Sequence, residues 1–334
     1  MITRDGQWLI STMGEAVLVT EISTGLRIAR IKGVSPLCQG MRALTRQDTT
    51  AITSLSLSYH TSPPTLITCH MSMMIRYYPL PSSPPLGSHP PFLSYTRALP
   101  KAHTAPILVS TTSPDDTLLA TGSSDGVVKV WDLEGGYVTH MFRGHGGPVS
   151  AVKFNYSSDG DKRMELFTGS TDARVRIFDL KDPSARAVGG GNAAKPKAVL
   201  EGHVSTVRGI DVTEDGRWAV TAGRDKVVLV WDLSGGDSSA SKKGKSKVKD
   251  VIQPKLVQTI ICEEQVESLG LLPLEQDVVG AKGSRIRCWT GGDKGLVRIW
   301  DVLKAELAGS MHGVEGVDEV EAEEDEQRGI IQVL

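Results

Sequence analysis

The stretch His203-Val-Ser-Thr-Val-Arg-Gly-Ile-Asp-Val-Thr-Glu-Asp-Gly-Arg-Trp-Ala-Val-Thr-Ala-Gly-Arg-Asp-Lys-Val-Val-Leu-Val-Trp-Asp232 decides the fold, because the chain contains it three times in altered spelling. His103 precedes Trp131-Asp132 by 27 intervening residues, His145 precedes Phe178-Asp179 by 32, and His203 precedes Trp231-Asp232 by 27. Each copy opens on a histidine, passes a turn rich in Asp, Gly and Ser, and closes on an aromatic–Asp pair after a run of Val and Ile. Apolar runs of this length, bounded by turn residues, read as short strands. Runs such as Val127-Val-Lys-Val130 and Val227-Val-Leu-Val230 barely alternate, which fits strands covered on both faces.

Self-similarity at a period of roughly 40 to 45 residues, ending in Trp-Asp, resembles the WD40 repeat, in which each copy makes one four-stranded blade of a β-propeller. The expected fold is all-β, a nominally seven-bladed WD40 β-propeller with about six blades present and incomplete ends. The blades fall at about 1–44, 45–100, 101–143, 144–200, 201–262 and 263–312, with a partial seventh at 327–334. In the clearest copy the strands are read as His103 to Val109, Thr117 to Gly122, Val127 to Leu133 and Tyr137 to Phe142. The start, with Asp5-Gly6 as a turn and Trp8 to Ile10 as a strand, reads as the inside of a blade.

Four segments break the strand rhythm and are expected to be disordered: 79–91, 181–197, 234–255 and 313–326. The first holds six of the chain's 17 prolines. The second is rich in Gly and Ala, and its Gly189-Gly-Gly191 lacks the Lys-Ser/Thr that phosphate capture requires. The third has six lysines against two aspartates, and the stretch 315–326 has eight carboxylates. Within the third, Lys242, Lys243, Lys245, Lys247 and Lys249 read either as a solvated loop or as cations for RNA phosphates or a partner.

Composition excludes little but points one way. The 334 residues are 40% hydrophobic and 23% charged with net charge −2, so there is no global drive toward nucleic acid or membrane. No run of 18 apolar residues marks a membrane span. The four cysteines are scattered without CxxC spacing, which reads as free thiols rather than a metal or redox site.

A His, a Thr, an Asp and an aromatic recur in step: His103, Thr121, Asp125 and Trp131; His145, Thr168, Asp172 and Phe178; His203, Thr221, Asp225 and Trp231. The sixth repeat has Thr290, Asp293 and Trp300 but no His. A hydrolase triad occurs once per active site and needs an exposed nucleophile beside an oxyanion hole. Copies at a fixed period argue instead for hydrogen-bonded networks inside successive blades. The reading is therefore non-enzymatic, with no cofactor, no metal and no small-molecule substrate.

The order of certain phrases carries a narrower resemblance. Lys101-Ala-His-Thr-Ala-Pro106, Leu118-Leu-Ala-Thr-Gly122, Asp125-Gly-Val-Val-Lys-Val-Trp-Asp132, Phe142-Arg-Gly144, Thr171-Asp-Ala173 with Val175-Arg-Ile177, Ala222-Gly-Arg-Asp-Lys226, and Val266-Glu-Ser268 before Leu271-Leu-Pro273 follow one another. In that order they resemble the U3 small nucleolar RNA-associated WD40 proteins related to transducin-β-like protein three. The resemblance implies a scaffold subunit of the small-subunit processome in the nucleolus. Its implied partners are other WD40 processome proteins and, directly or indirectly, U3 RNA and precursor ribosomal RNA. It also implies an N-terminal propeller that is truncated here, since family members carry two tandem propellers and a C-terminal helical region. The competing reading is a substrate-receptor propeller of a ubiquitin ligase. Such receptors often place Arg two residues after Trp-Asp, where this chain has Glu134, Ser234 and Leu303.

Overall fold

The computed structural model describes residues 1–4, 6–13, 16–32, 51–81, 92–156, 163–183, 195–234, 254–272 and 286–312. Its regular elements are 23 β-strands, with no α-helix among the described residues. All the ladders are antiparallel between strands adjacent in sequence. The fold class is that of the WD40 β-propellers, all-β with about six blade-like sheets. Two compact units divide the described chain, one over Met1–Thr117 and one over Leu118–Val314.

The first unit contains a three-stranded sheet, β1 (Trp8–Met13), β2 (Ala16–Glu21) and β3 (Arg27–Lys32). A four-stranded sheet follows: β4 (Ile52–Ser58), β5 (Thr65–His70), β6 (Ile75–Pro79) and β7 (Arg97–Leu99). Strand β8 (Ile107–Thr112) lies against β4, where the Ser110 hydroxyl meets those of Ser54 at 2.9 Å and Ser56 at 2.7 Å. Trp8, Ile10, Val17, Val19 and Ile28 of the first sheet share one core with Leu57, Leu66 and Tyr78 of the second.

The second unit contains β9 (Leu118–Ser123), β10 (Val128–Asp132) and β11 (Val138–Phe142). Three four-stranded sheets follow. They are β12 (Val149–Tyr156) to β15 (Ala198–Glu201) by way of β13 (Met164–Ser170) and β14 (Arg174–Asp179); then β16 (Val207–Val212), β17 (Trp218–Gly223), β18 (Val227–Asp232) and β19 (Lys255–Ile261); then β20 (Val266–Leu271), β21 (Arg287–Gly292), β22 (Leu296–Asp301) and β23 (Glu306–His312). The near-continuous apolar runs of β14 and β18 are buried over four consecutive residues each, as strands covered on both faces must be. Phe167, Val175 and Ile177 from one sheet share a core with Val207, Ile210, Leu229 and Trp231 from the next. Val220, Ala222, Val228 and Val230 are in turn covered by Ile286, Cys288 and Trp300.

One turn is repeated with the same backbone geometry in five sheets. Met73, Gly126, Ala173, Lys226 and Gly295 all have positive φ, between 62° and 77°, and each stands five residues after Thr68, Thr121, Thr168, Thr221 or Thr290. Only two of the five are glycine, the residue that takes this region without steric cost. The turn geometry is thus dictated by the sheet and tolerated by the other residues.

Several sequence-based boundaries shift. The first strand of the third repeat begins at Ile107, not His103, because the histidine sits in the turn leading to the strand. The insertions are shorter than expected. Pro79 belongs to β6 and Leu80 is buried, the Lys197 N–H donates to Ile177 O at 2.7 Å, and Lys255 opens β19. Outer strands pair with a single neighbour and present one edge to water, so polar residues enter them without a patterning signal. The remainder of those insertions, Lys242, Lys243, Lys245, Lys247 and Lys249, the acidic run and the segment 327–334 lie outside the described residues.

Candidate functional site

The recurring Thr sits near the end of the second strand of its sheet, the Asp in the turn after it, and the Trp near the end of the third strand. The histidine is in the turn that leads into the first strand. In the β16–β19 sheet these four converge. Trp231 Nε1 donates to Thr221 Oγ1 at 3.0 Å, His203 Nε2 lies 2.8 Å from Thr221 Oγ1, and His203 Nδ1 lies 2.8 Å from Asp225 Oδ2. The indole can only donate, and the ionised carboxylate can only accept. Between them the network therefore runs one way: indole N–H to threonine oxygen, threonine O–H to Nε2, and Nδ1–H to carboxylate. The His203 and Asp225 side chains are 2% and 1% exposed. Burial pushes the His203 pKa down against the opposing pull of Asp225, so the ring is neutral.

In the β12–β15 sheet Phe178 replaces the indole and the direction reverses. Arg176 Nη1 approaches His145 Nδ1 at 2.6 Å and Asp172 Oδ2 at 2.7 Å, while His145 Nε2 lies 2.7 Å from Thr168 Oγ1. A guanidinium only donates, so Nδ1 is the acceptor and Nε2 carries the proton. Thr168 Oγ1 passes its own proton to Arg176 O at 3.3 Å, and the His145–Asp172 separations stay long at 3.3 and 3.4 Å. Burial, and then the Arg176 charge, push the His145 pKa down to about 4, with Asp172 opposing both. Burial works to raise the Asp172 pKa, but the Gly146 N–H, Arg176 and His145 together hold it below the usual range. The ring of Phe178 stacks on Phe142 with centroids 4.2 Å apart, so the lost polar contact is replaced by aromatic packing.

In the β20–β23 sheet Trp300 Nε1 donates to Thr290 Oγ1 at 2.9 Å. Asp293, read from the sequence as a member of this network, is exposed and lies outside it. The correction is one of register. The aspartates elsewhere stand four residues after the threonine, and the residue four after Thr290 is Lys294. The vacated place is filled by a buried ion pair, Arg298 Nη1 to Glu264 Oε1 at 2.6 Å, and Glu264 Oε2 accepts the Lys294 N–H at 3.0 Å. Glu264 and Arg298 are 3% and 7% exposed. Gly292 makes room for them, since a Cβ there would lie 2.1 Å from the Glu264 carboxyl carbon.

His103 is buried in the first unit. In the second unit Trp131 Nε1 donates to Thr121 Oγ1 at 2.9 Å, and exposed Asp125 accepts the Val127 N–H at 3.0 Å. Sequence reasoning missed Arg176, Arg298 and Glu264. The signal for the two arginines was present: both stand eight residues after the threonine in a Val-Arg-Ile-aromatic phrase, Val175 to Phe178 and Val297 to Trp300.

These arrangements hold polar groups together within their sheets. Thr168, Thr221 and Thr290 are 0%, 0% and 4% exposed, so these hydroxyls are shielded from solvent. A hollow of about 210 Å³ in the first unit is lined by Arg4, Ser56, Tyr59, Ser110 and Thr112, with apolar neighbours and no His or carboxylate to activate a hydroxyl. Among the described residues no cluster of His, Cys, Asp or Glu could hold a metal, and no helix is long and apolar enough to cross a membrane. Burial raises the thiols of Cys69 and Cys288 to about 12 and of Cys262 to about 11, which keeps them protonated.

The WD domain, G-beta repeat model matches residues 95–132, 136–179 and 194–232, the three repeats that carry the histidine, threonine and aspartate. Similarity to transducin beta-like protein 3 extends well past them. The Bos taurus protein is 27% identical over 316 residues, 94% of this chain, and the Rattus norvegicus protein is 34% identical over 205 residues, 61% of it. This chain carries WD40 repeats and is similar to transducin beta-like protein 3. U3 small nucleolar RNA-associated protein 13 of Saccharomyces cerevisiae is 32% identical over 183 residues, 53% of this chain and 18% of that protein. The chain spans 32% of the bovine relative and 22% of the rat one, so it corresponds to a minor part of each.

Proposed function

We propose that this WD40 protein is a non-catalytic scaffold in small ribosomal subunit assembly. It would act in the nucleolus as part of the small-subunit processome, alongside other WD40 proteins, U3 RNA and precursor ribosomal RNA. The observation that carries the reading is the extent of the similarity. It runs over 94% of the chain, well beyond the three repeats that the repeat model matches. The name of the yeast relative ties a protein of this kind to the U3 RNA. Burial of every described threonine of the repeating sets supports recognition by surfaces rather than turnover. In this reading Lys242, Lys243, Lys245, Lys247 and Lys249 contact RNA phosphates, since a lysine-rich segment neutralises backbone charge.

The test is to tag the chain in its own cells, recover it at low salt and sequence the bound RNA. Enrichment of U3 and precursor ribosomal RNA is the expected result, reduced when the five lysines are changed to Gln. Recovery of a cullin complex without RNA would overturn the proposal.

A further inference from the structure

Four arginines stand near turns or strand ends in the sequence, Arg143, Arg174, Arg208 and Arg224, and the fold brings two of them to one carboxylate. Arg208 is on β16, Arg224 is in the turn between β17 and β18, and Glu267 is on β20. Arg208 Nε donates to Glu267 Oε2 at 2.7 Å, and Arg224 Nε donates to Glu267 Oε1 at 2.6 Å. Both carboxylate oxygens are engaged through Nε. The terminal nitrogens of the two guanidiniums have no hydrogen-bond partner among the described residues. The Arg208, Arg224 and Glu267 side chains are 35%, 49% and 30% exposed, so the cluster is open to solvent while its stems are held.

Its backbone is fixed from below. A Cβ on Gly209 would lie 2.6 Å from Leu269 Cβ, so the glycine after Arg208 is what lets β16 approach β20 closely enough to place Arg208 against Glu267. The Arg224 N–H donates to Thr206 O at 3.0 Å, and the next residue, Asp225, is locked by His203. Two like-charged planar groups are thus kept side by side with their donor edges unspent, and little side-chain freedom remains to be lost on binding.

We propose that Arg208 and Arg224 form an oxyanion-binding site, held ready by Glu267, that takes a phosphate or carboxylate group presented by a partner protein. Paired guanidiniums match the two-oxygen edge of such a group. Charge balance favours a protein over a nucleic acid. Glu267 lies within the site and Asp293 lies close enough to support the Arg224 charge, so two cations face two carboxylates. That leaves hydrogen-bonding geometry for one oxyanion but no excess charge for a polyanion, whose binding needs several phosphates neutralised. The proposal stands independently of any role in ribosome assembly.

The test follows the Arg208 and Arg224 Nε–H signals by NMR in the whole chain. One short peptide is titrated in three forms, with a central serine, phosphoserine or glutamate, and a single-stranded RNA oligonucleotide is titrated separately. Saturable shifts of both signals with the phosphoserine or glutamate form, and none with the serine form, are expected. Phosphoserine alone would assign the site to phosphorylated partners, and both together to acidic segments. Arg208→Gln and Arg224→Gln, checked for unchanged thermal melting, should each weaken binding about tenfold, the loss of a charge-assisted hydrogen bond. Identical behaviour of the three peptides, unchanged binding in both variants, or RNA shifting the two signals in preference to the peptides would overturn it.

Discussion

Arg176 and His145 meet at 2.6 Å, guanidinium Nη1 to ring Nδ1, and this contact sets the direction of the hydrogen-bond chain in its sheet. One sheet further on, at the position of Arg176, stands Leu229, and His203 turns its Nδ1 proton onto Asp225 instead. The same histidine position is served by opposite tautomers because the available donors differ.

Asp225 accepts from both the His203 ring and the Val204 N–H, the latter at 3.0 Å. Asp225→Ala strands the buried His203 ring N–H, at about 1–3 kcal/mol, while the Val204 N–H belongs to an exposed residue that water can serve. A clear drop in Tm is expected, and His203→Ala on top of it should cost less than the sum of the single changes. Additive losses would mean that the two side chains do not act together.

The Glu264–Arg298 pair is expected to be asymmetric under mutation. Arg298→Met leaves Glu264 as an uncompensated buried charge, at about 3–5 kcal/mol. Adding Glu264→Met removes that charge and should restore most of the loss. Urea unfolding of the two single variants and the double variant checks this. A double variant no more stable than Arg298→Met alone would show that packing, not charge, is at stake.

Acid should weaken the β12–β15 sheet in a defined window. His145 titrates near 6.5 when unfolded and at about 4 when folded, so the folded state resists a proton that the unfolded state accepts. Its contribution is fully present above pH 6.5 and is lost as the pH falls toward 4, about 3 kcal/mol in all. Arg176→Met removes the second cause of the depression and should move the His145 titration upward in a histidine NMR series. An unmoved titration would show that Arg176 does not sit on the ring in solution.

At Ala173 the backbone is in the left-handed region with φ of 62°. Relief of that strain outweighs the extra freedom glycine brings to the unfolded chain, so Ala173→Gly should stabilise by about 0.5–1 kcal/mol. The same change at Ala222, in extended strand β17 and buried, should instead destabilise the protein. Melting curves of the two variants separate these outcomes.

The fold was legible because the threonine, the aspartate four residues on and the aromatic ten residues on are all local. Their spacing directly encodes one hairpin, and strands such as β17 fall where the apolar runs lie. The recurrence of the histidine was legible, but its place in the turn before the strand was not. The apolar run from His103 hides the turn that precedes Ile107. The sixth repeat misled by one register, since Asp293 is three residues from Thr290 and Glu264 enters from a different strand connection. The Arg208–Glu267–Arg224 cluster had no sequence signature. Its members are 59 and 43 residues apart from Glu267, joined only by the packing of β16 on β20.

The most direct test of the view that these repeated sets are internal supports is the tautomer and protonation state of His145 and His203, read from ring nitrogen NMR shifts at neutral pH. Both rings should be neutral and buried, with the proton on Nε2 in His145 and on Nδ1 in His203. Two rings that share one tautomer, or that protonate near pH 6.5 while the chain stays folded, would contradict it.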